Sequence, residues 1–132
     1  MQGQTNLSVL IKNMQPILND RLYVFCLMPP QTVLDFNRIV FFFREQEGVS
    51  IVVEKAYADA QGFEYTSVFA WITLHIHSAL EAIGLTAAFS NALADNDISC
   101  NVVAGYYHDH IFVQHELAQE AIQVLQELAA SY

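Results

Sequence analysis

The residues from Ala82 to Thr86 are the part of the chain best suited to bind a small molecule. They follow an apolar stretch with strand-like alternation, residues 68–77, and Gly84 immediately precedes a segment with helical spacing. The first amides of a helix have no partner within the helix and carry partial positive charge, so they attract anions. A helix that begins at the end of a strand therefore predicts a site for a carboxylate group.

Histidines form the second group of residues with possible chemistry. His75 and His77 are two residues apart on a predicted strand, so both imidazoles would lie on one face and could bind a metal ion. His108 and His110 flank Asp109 and could supply further ligands. No spacing specific for a metal site is present, and paired strand histidines also occur at sheet edges and subunit contacts. A metal site is therefore the less favoured interpretation, and a role of these histidines at a sheet edge or subunit contact is preferred.

Motifs that carry catalysis are missing from the sequence. The serines lack a G-x-S-x-G motif, and the five glycines are too scattered for a phosphate-binding loop. Cys26 and Cys100 occupy alternating apolar positions of predicted strands, which is typical of buried free thiols, and no basic cluster would activate either one. The sequence thus predicts a protein without enzymatic activity and without a cofactor.

The balance of charges argues against two classes of partner. Fourteen acidic and five basic residues give a formal charge of −9 at pH 7, with no local cluster of Lys or Arg. This charge repels phosphate backbones and anionic lipids, so neither nucleic acid nor a membrane surface is expected as a partner. The apolar run at residues 68–76 is shorter than the roughly 20 residues of a membrane-spanning helix. With no signal-peptide pattern at the N-terminus, a cytoplasmic location is expected.

The periodicity of apolar residues predicts short helices and antiparallel strands. Helices are expected at residues 7–14 with Asn6 as N-cap, at 85–93 with Asn96 as left-handed cap, and at 117–128. Strands are expected at residues 22–28, 39–44, 49–55, 68–77, 98–105 and 111–113. Asp109 falls in the turn before the last strand. Helices on one face of an antiparallel sheet make an α+β fold.

The strand at residues 68–77 has one strongly aromatic face, which carries Phe69 and Trp71. Such a face is too apolar to be left in water, so it predicts packing against another sheet or subunit. The pattern loosens at residues 58–67, where we expect the boundary between two halves, 1–66 and 67–132.

Several short segments resemble those of ACT domains. They are Gly84-Leu85-Thr86, Leu93-Ala94, Ile98-Ser99 and Asp109-His110-Ile111-Phe112-Val113. Similar segments occur in the regulatory regions of aspartate kinases and in cytosolic amino-acid sensors. The similarity is greatest to small stand-alone bacterial tandem ACT-like proteins, once grouped as a domain of unknown function. It covers about 60 residues after residue 68 well and the first half more loosely.

The resemblance implies paired ferredoxin-like β-α-β-β-α-β units that bind a small amino acid at the interface between units. By the same resemblance, Gly84 would allow close approach of the ligand, while Leu85 and Thr86 would present amides to its carboxylate. Asn101 and Asp109 would also lie at the ligand, with Asp109 meeting its ammonium group. Asp109 could equally be only a turn residue, and Asn101 could be merely solvated. Gly84 and Thr86 could simply start a helix, with Thr86 as a capping residue.

The sequence departs from the family pattern in two ways. No strand precedes the first helix, and no closing strand is evident in the second half. The first-half strands could complete the second unit.

Together, these observations predict a non-enzymatic, regulatory ACT-like protein that binds a small amino acid and forms a homodimer or higher homo-oligomer. Two alternatives remain open. One is a structural oligomerisation module without a ligand, assembled through the aromatic face around Trp71. The other is a metal-binding protein built on four histidines, His75, His77, His108 and His110.

Overall fold

The computed structural model describes residues 6–76 and 83–132, and within those ranges it contains four helices and seven strands. The helices are α1 (Leu7–Lys12), α2 (Lys55–Gln61), α3 (Leu85–Ala94) and α4 (Ala118–Ala130). The strands are β1 (Gln15–Leu18), β2 (Tyr23–Met28), β3 (Ile39–Glu45), β4 (Gly48–Glu54), β5 (Phe69–His75), β6 (Asn101–Ala104) and β7 (Asp109–Gln114). The expected α+β class is confirmed. No helix in the described ranges has the length and hydropathy required to cross a membrane.

The chain packs into two compact units that are not consecutive in sequence. Unit 1 contains the described residues of Met1–Asn19 together with those of Ala70–Tyr132, and unit 2 is Asp20–Phe69. The first part of the chain therefore packs with the C-terminal part. The division at residues 66 and 67 stays a prediction for the two ACT-like segments.

Unit 1 has the ferredoxin-like order of strands, β1-β5-β7-β6. β1 pairs antiparallel with β5, from Gln15 opposite His75 to Leu18 opposite Ile72, and β6 pairs antiparallel with β7. The β-α-β-β-α-β pattern begins with β5 and continues through α3, β6, β7 and α4. The apparent lack of a closing strand is corrected here, because β1 supplies that strand from the start of the chain. Its four residues are too few to show a clear alternation.

Helices α1, α3 and α4 bury one face of the unit 1 strands in a continuous apolar core. Ile11 of α1, Phe89 of α3, Ile111 of β7 and Leu125 of α4 are all fully buried in it. The predicted cap of α1 is confirmed, since the Asn6 side chain accepts a hydrogen bond of 3.2 Å from the Val9 amide. Helices on one face of an antiparallel sheet are thus observed as expected.

Unit 2 contains a three-stranded antiparallel sheet in the order β3-β4-β2. The expected hairpin of β3 and β4 is confirmed, with Glu45 opposite Gly48 at its tip. Helix α2 was not expected, because residues 58–67 show only a loose pattern. It packs Ala58 into the unit 2 core and ends at Gly62, whose φ of 72° forms a left-handed cap.

Three local expectations for unit 1 are wrong. β6 is shorter than residues 98–105, because the Ile98 amide donates to the Leu93 carbonyl at the end of α3. The left-handed residue after α3 is Asp97, with φ of 59°, and not Asn96. Asp109 begins β7 and does not lie in the turn, which is closed by the Gly105 amide.

Candidate functional site

The α3 start, which we define as Gly84, Leu85 and Thr86, has the geometry of a helix N-terminus capped by backbone alone. Gly84 is the N-cap residue with φ of 92°, and its carbonyl accepts the first helical hydrogen bond, 2.9 Å from the Ala88 amide. Leu85 is buried in the unit 1 core and Thr86 is exposed. The first-turn amides have no intrahelical acceptor, so they remain suited to an anionic group.

Gly84 is required by both conformation and packing. Its positive φ is costly for residues with a Cβ atom. A Cβ atom at this position would also lie 3.2 Å from Cδ2 of Leu7, which belongs to α1. Helix α1 therefore packs directly against the α3 start, and the glycine permits that approach.

Asp109 is the first residue of β7 and lies on its buried face. Ile111 and Val113 alternate with it on that strand, and both belong to the unit 1 core. Asp109 is only 9% exposed, and burial raises the pKa of its carboxyl group. Within residues 6–76 and 83–132, this carboxylate forms no hydrogen bond or ion pair, and its oxygens keep some contact with solvent, because no fully buried side-chain oxygen there lacks a hydrogen-bond partner. A largely buried acid without a protein partner is costly, and such groups are frequent at binding sites.

The topology places Asp109 at the end of unit 1 where α3 begins. β5 and β7 are neighbours, and contacts show that they run antiparallel: Nδ1 of His108 lies 3.2 Å from the Ile76 carbonyl, whereas the Phe112 ring stacks on Trp71. The beginning of β7 therefore adjoins the end of β5, after which the chain continues to Gly84. The structure thus brings the predicted acid and the α3 start to the same end of one unit.

Asn101 is not brought to this end. It pairs with Phe112 at the far end of β7, whereas Ala104 pairs with Asp109. Three residues along a strand span about 10 Å, and an odd offset also places the side chain on the opposite face. The side-chain amide of Asn101 donates instead a hydrogen bond of 3.5 Å to the Phe112 carbonyl.

The predicted histidine cluster is only partly assembled. His77 lies outside the described residues. The rings of His75 and His108 stack with centroids 4.4 Å apart, while Nδ1 of His110 is occupied by other hydrogen bonds. No group of three or more His, Cys, Asp or Glu side chains among the residues described could hold a metal ion.

A hydrogen-bonded network on the other face of β5 was not anticipated. Nε1 of Trp71 donates to Nδ1 of His110 at 3.0 Å, and Oγ1 of Thr73 lies 3.1 Å from the same nitrogen. The Asn19 side-chain amide donates to Oγ1 of Thr73 at 3.2 Å and to the Trp71 carbonyl at 3.0 Å. Strand alternation placed Trp71 and Thr73 on one face, but no sequence signal linked them to His110.

Comparison with sequence families identifies two segments that overlap slightly. Two different profiles, each described as an ACT domain, match residues 2–70 and residues 66–127. A search of curated proteins gave no significant match.

Solved structures agree with this assignment. A Vibrio cholerae protein of unknown function, described as a possible transport protein, is 47% identical and superimposes with a TM-score of 0.83 over 93% of this chain and 95% of that one. The ligand-free regulatory subunit of aspartate kinase from Thermus thermophilus is 10% identical, with a TM-score of 0.66 over 88% of this chain and 96% of that one. The second likeness concerns the fold alone. The chain therefore belongs to the ACT domain family.

Proposed function

We propose that this protein is a non-catalytic regulatory protein that binds a small amino acid at the end of unit 1 formed by Asp109 and the α3 start. The observation that carries the proposal is the largely buried carboxylate of Asp109, which has no hydrogen-bond or ion-pair partner among the described residues. Membership of the ACT family supports a regulatory role, and the fold is that of aspartate kinase regulatory subunits. The cytoplasmic location expected from the sequence stays a prediction.

A free amino acid matches the charges at this end of unit 1. Its carboxylate would accept hydrogen bonds from the first amides of α3, which also favour negative charge through the helix dipole. Its ammonium group would pair with Asp109 and compensate the desolvation of that carboxylate. A ligand with only one of the two charges would satisfy only half of the site.

Asn101 is not part of the proposed site, because it lies at the other end of β7 on the opposite face. The metal-binding alternative receives no support from the described residues, since they hold no suitable group of ligands. The remaining alternative, a structural module without a ligand, predicts no stabilisation by any amino acid.

Thermal-shift measurements with each of the twenty amino acids at millimolar concentration test the proposal. A ligand present at about 100 times its Kd should stabilise the protein by about 2.7 kcal/mol. The substitution Asp109→Asn should abolish that stabilisation. Asp95→Asn is the matched control, because Asp95 is an exposed acid at the other end of α3 and should leave ligand binding unchanged. A flat response of the wild-type protein to all twenty amino acids would refute the proposal.

We also propose that the protein self-associates through an apolar face of unit 2. Leu27 and Phe43 are 59% and 67% exposed, and both lie opposite Ser50 in the strand registers, so they share one face of the sheet. Phe25 and Phe41 make an edge-to-face contact on the same face, with ring centroids 6.1 Å apart. A face this apolar supports contact with a second copy of the chain.

A further inference from the structure

Unit 2 contains a crevice that has no part in the proposed amino-acid site. It has a volume of about 250 Å³ and lies between the segment 30–36 and strands β3 and β4. Its apolar lining consists of Leu34, Phe36, Ile39, Phe42 and Val49. This volume is slightly below the range of roughly 300–1,000 Å³ that is usual for small-molecule sites, so the crevice suits a small ligand.

The crevice results from the connection between β2 and β3. A ferredoxin-like unit has a helix at this position, whereas unit 2 has only one 3-10 turn, Phe36–Arg38. Most residues on this face of the sheet are buried, but the short connection leaves two rings beside the crevice open to solvent, Phe36 at 77% and Phe42 at 40% exposed. An apolar chain lying in the crevice would cover these rings and remove apolar surface from water.

Arg44 supplies a positive charge at the edge of this apolar surface. It lies opposite Val49, two residues along β3 from Phe42, and all three residues line the crevice. Within the part of the chain that the structure describes, no acid pairs with Arg44, whereas Lys55 pairs with Asp59 at 2.8 Å. A guanidinium group is well suited to bind a carboxylate through two parallel hydrogen bonds.

Glu45, the acid next to Arg44 in the sequence, does not neutralise it. Glu45 follows it on β3 but points to the other face, where it accepts a hydrogen bond from the Ser50 hydroxyl. None of the described residues that line the crevice is acidic. The crevice therefore offers apolar walls and one cation, and none of its described lining residues provides a carboxylate to pair with an ammonium ion.

We propose that this crevice binds an apolar monocarboxylate of about the size of octanoate. The carboxylate pairs with Arg44, and the hydrocarbon chain lies against Phe42 and Leu34. An amino acid is a poorer ligand here, because its ammonium group would lose water without gaining an acceptor of opposite charge. The ligand class thus differs from that of unit 1, where a buried acid is present.

Titration of the ¹⁵N-labelled protein with octanoate at low ionic strength tests the proposal by NMR. Octanoate should shift the amide signals of Thr32, Phe42 and Arg44, and octanol and leucine should bind at least about tenfold more weakly. Affinity should increase up to about fourfold for each methylene from butyrate to octanoate, because each one buries further apolar surface. Equal binding of octanol and octanoate would overturn the role of Arg44, and equal binding of leucine would overturn the ligand class.

Two substitutions of arginine provide a matched comparison. Arg44→Gln should weaken octanoate binding by about tenfold, while Arg44→Lys should retain part of the affinity. Arg38→Gln is the control, since Arg38 is also in unit 2 but lies over the Tyr57 ring, 4.3 Å from its centroid, and does not line the crevice. An equal loss of affinity in both glutamine variants, or no binding of octanoate at millimolar concentration, would overturn the proposal.

The crevice and the proposed amino-acid site can be tested independently. Asp109→Asn should leave octanoate affinity unchanged, and Arg44→Gln should leave any amino-acid stabilisation unchanged. Failure at one site therefore does not decide the other. If Asp109→Asn weakened octanoate binding as much as Arg44→Gln, the assignment of octanoate to unit 2 would be overturned.

Discussion

The indole Nε1 of Trp71 donates a 3.0 Å hydrogen bond to Nδ1 of His110 on the neighbouring strand. Indole nitrogen is only a donor, so Nδ1 must carry a lone pair and the neutral ring holds its proton on Nε2. Burial, followed by the nearby charge of His108, lowers the pKa of His110 below its ordinary value of 6.5. Protonation at Nδ1 would remove the acceptor of Trp71.

This hydrogen bond predicts that the stability of unit 1 falls when the pH is lowered. A histidine whose pKa is lowered in the folded state contributes stability that is fully present above about 6.5, the unfolded value. That contribution is lost as the pH falls from 6.5 through the folded pKa. Melting temperatures between pH 8 and pH 5 measure it.

The substitution His110→Asn separates this effect from the titration of other histidines. Its side-chain oxygen can accept from Trp71 at any pH in this range, so the variant should show a smaller acid destabilisation than the wild type. Parallel melting curves for the two proteins across the whole range would contradict the assignment.

Asp109→Asn should stabilise the ligand-free protein at pH 7. Burial raises the pKa of Asp109 above its ordinary value of 3.8, so its stabilising contribution is present below that value and is lost as the pH rises through the folded pKa. The neutral amide removes the cost of the buried charge. The melting temperature should therefore rise at pH 7 and change little at pH 3.5. Asp95→Asn, an exposed counterpart, should give no rise at pH 7, and a fall with Asp109→Asn would contradict the prediction.

Gly84→Ala should destabilise unit 1 by about 1–3 kcal/mol. The alanine would have to keep a strained positive φ, and its Cβ atom would lie 3.2 Å from Cδ2 of Leu7. Gly62→Ala is a matched control for the strain, because Gly62 also has a positive φ but nothing lies within 4 Å of its added Cβ. Urea denaturation should give a larger loss for Gly84→Ala. In a Leu7→Ala background, Gly84→Ala should cost no more stability than Gly62→Ala does, because the contact with Leu7 is gone. Equal losses at both glycines in the otherwise wild-type protein would exclude the Leu7 contact as a cause.

The double substitution Leu27→Lys and Phe43→Lys should reduce self-association. Both side chains are exposed on one face of unit 2, and charges placed there would have to lose water in an interface. Sedimentation velocity should show a smaller species for this variant than for the wild type. Val33→Lys is the control, since Val33 is 96% exposed in the connection between β2 and β3. An unchanged sedimentation coefficient for the double variant would place any interface elsewhere.

Sequence alone determined those features that depend on local periodicity. The alternation along β5, the helical spacing after Gly84, the Asn6 cap and the hairpin of β3 and β4 all agree with the structure. Each of these patterns is set by neighbours within a few residues, because strand and helix geometry repeat over two or 3.6 residues. The short segments around Gly84 and Asp109 likewise indicated the ACT family before any packing was known.

Tertiary structure decided which distant segments share a unit and which side chains meet. β1 closes unit 1 from the start of the chain, although its four residues carry no clear pattern, because its backbone pairs with β5. Strand register placed Asp109 on the buried face and Asn101 on the other, a distinction that a shift of one residue would reverse. Trp71 meets His110 across 39 positions of sequence for the same reason. Pairing between strands is a long-range choice, and local side-chain spacing does not encode it.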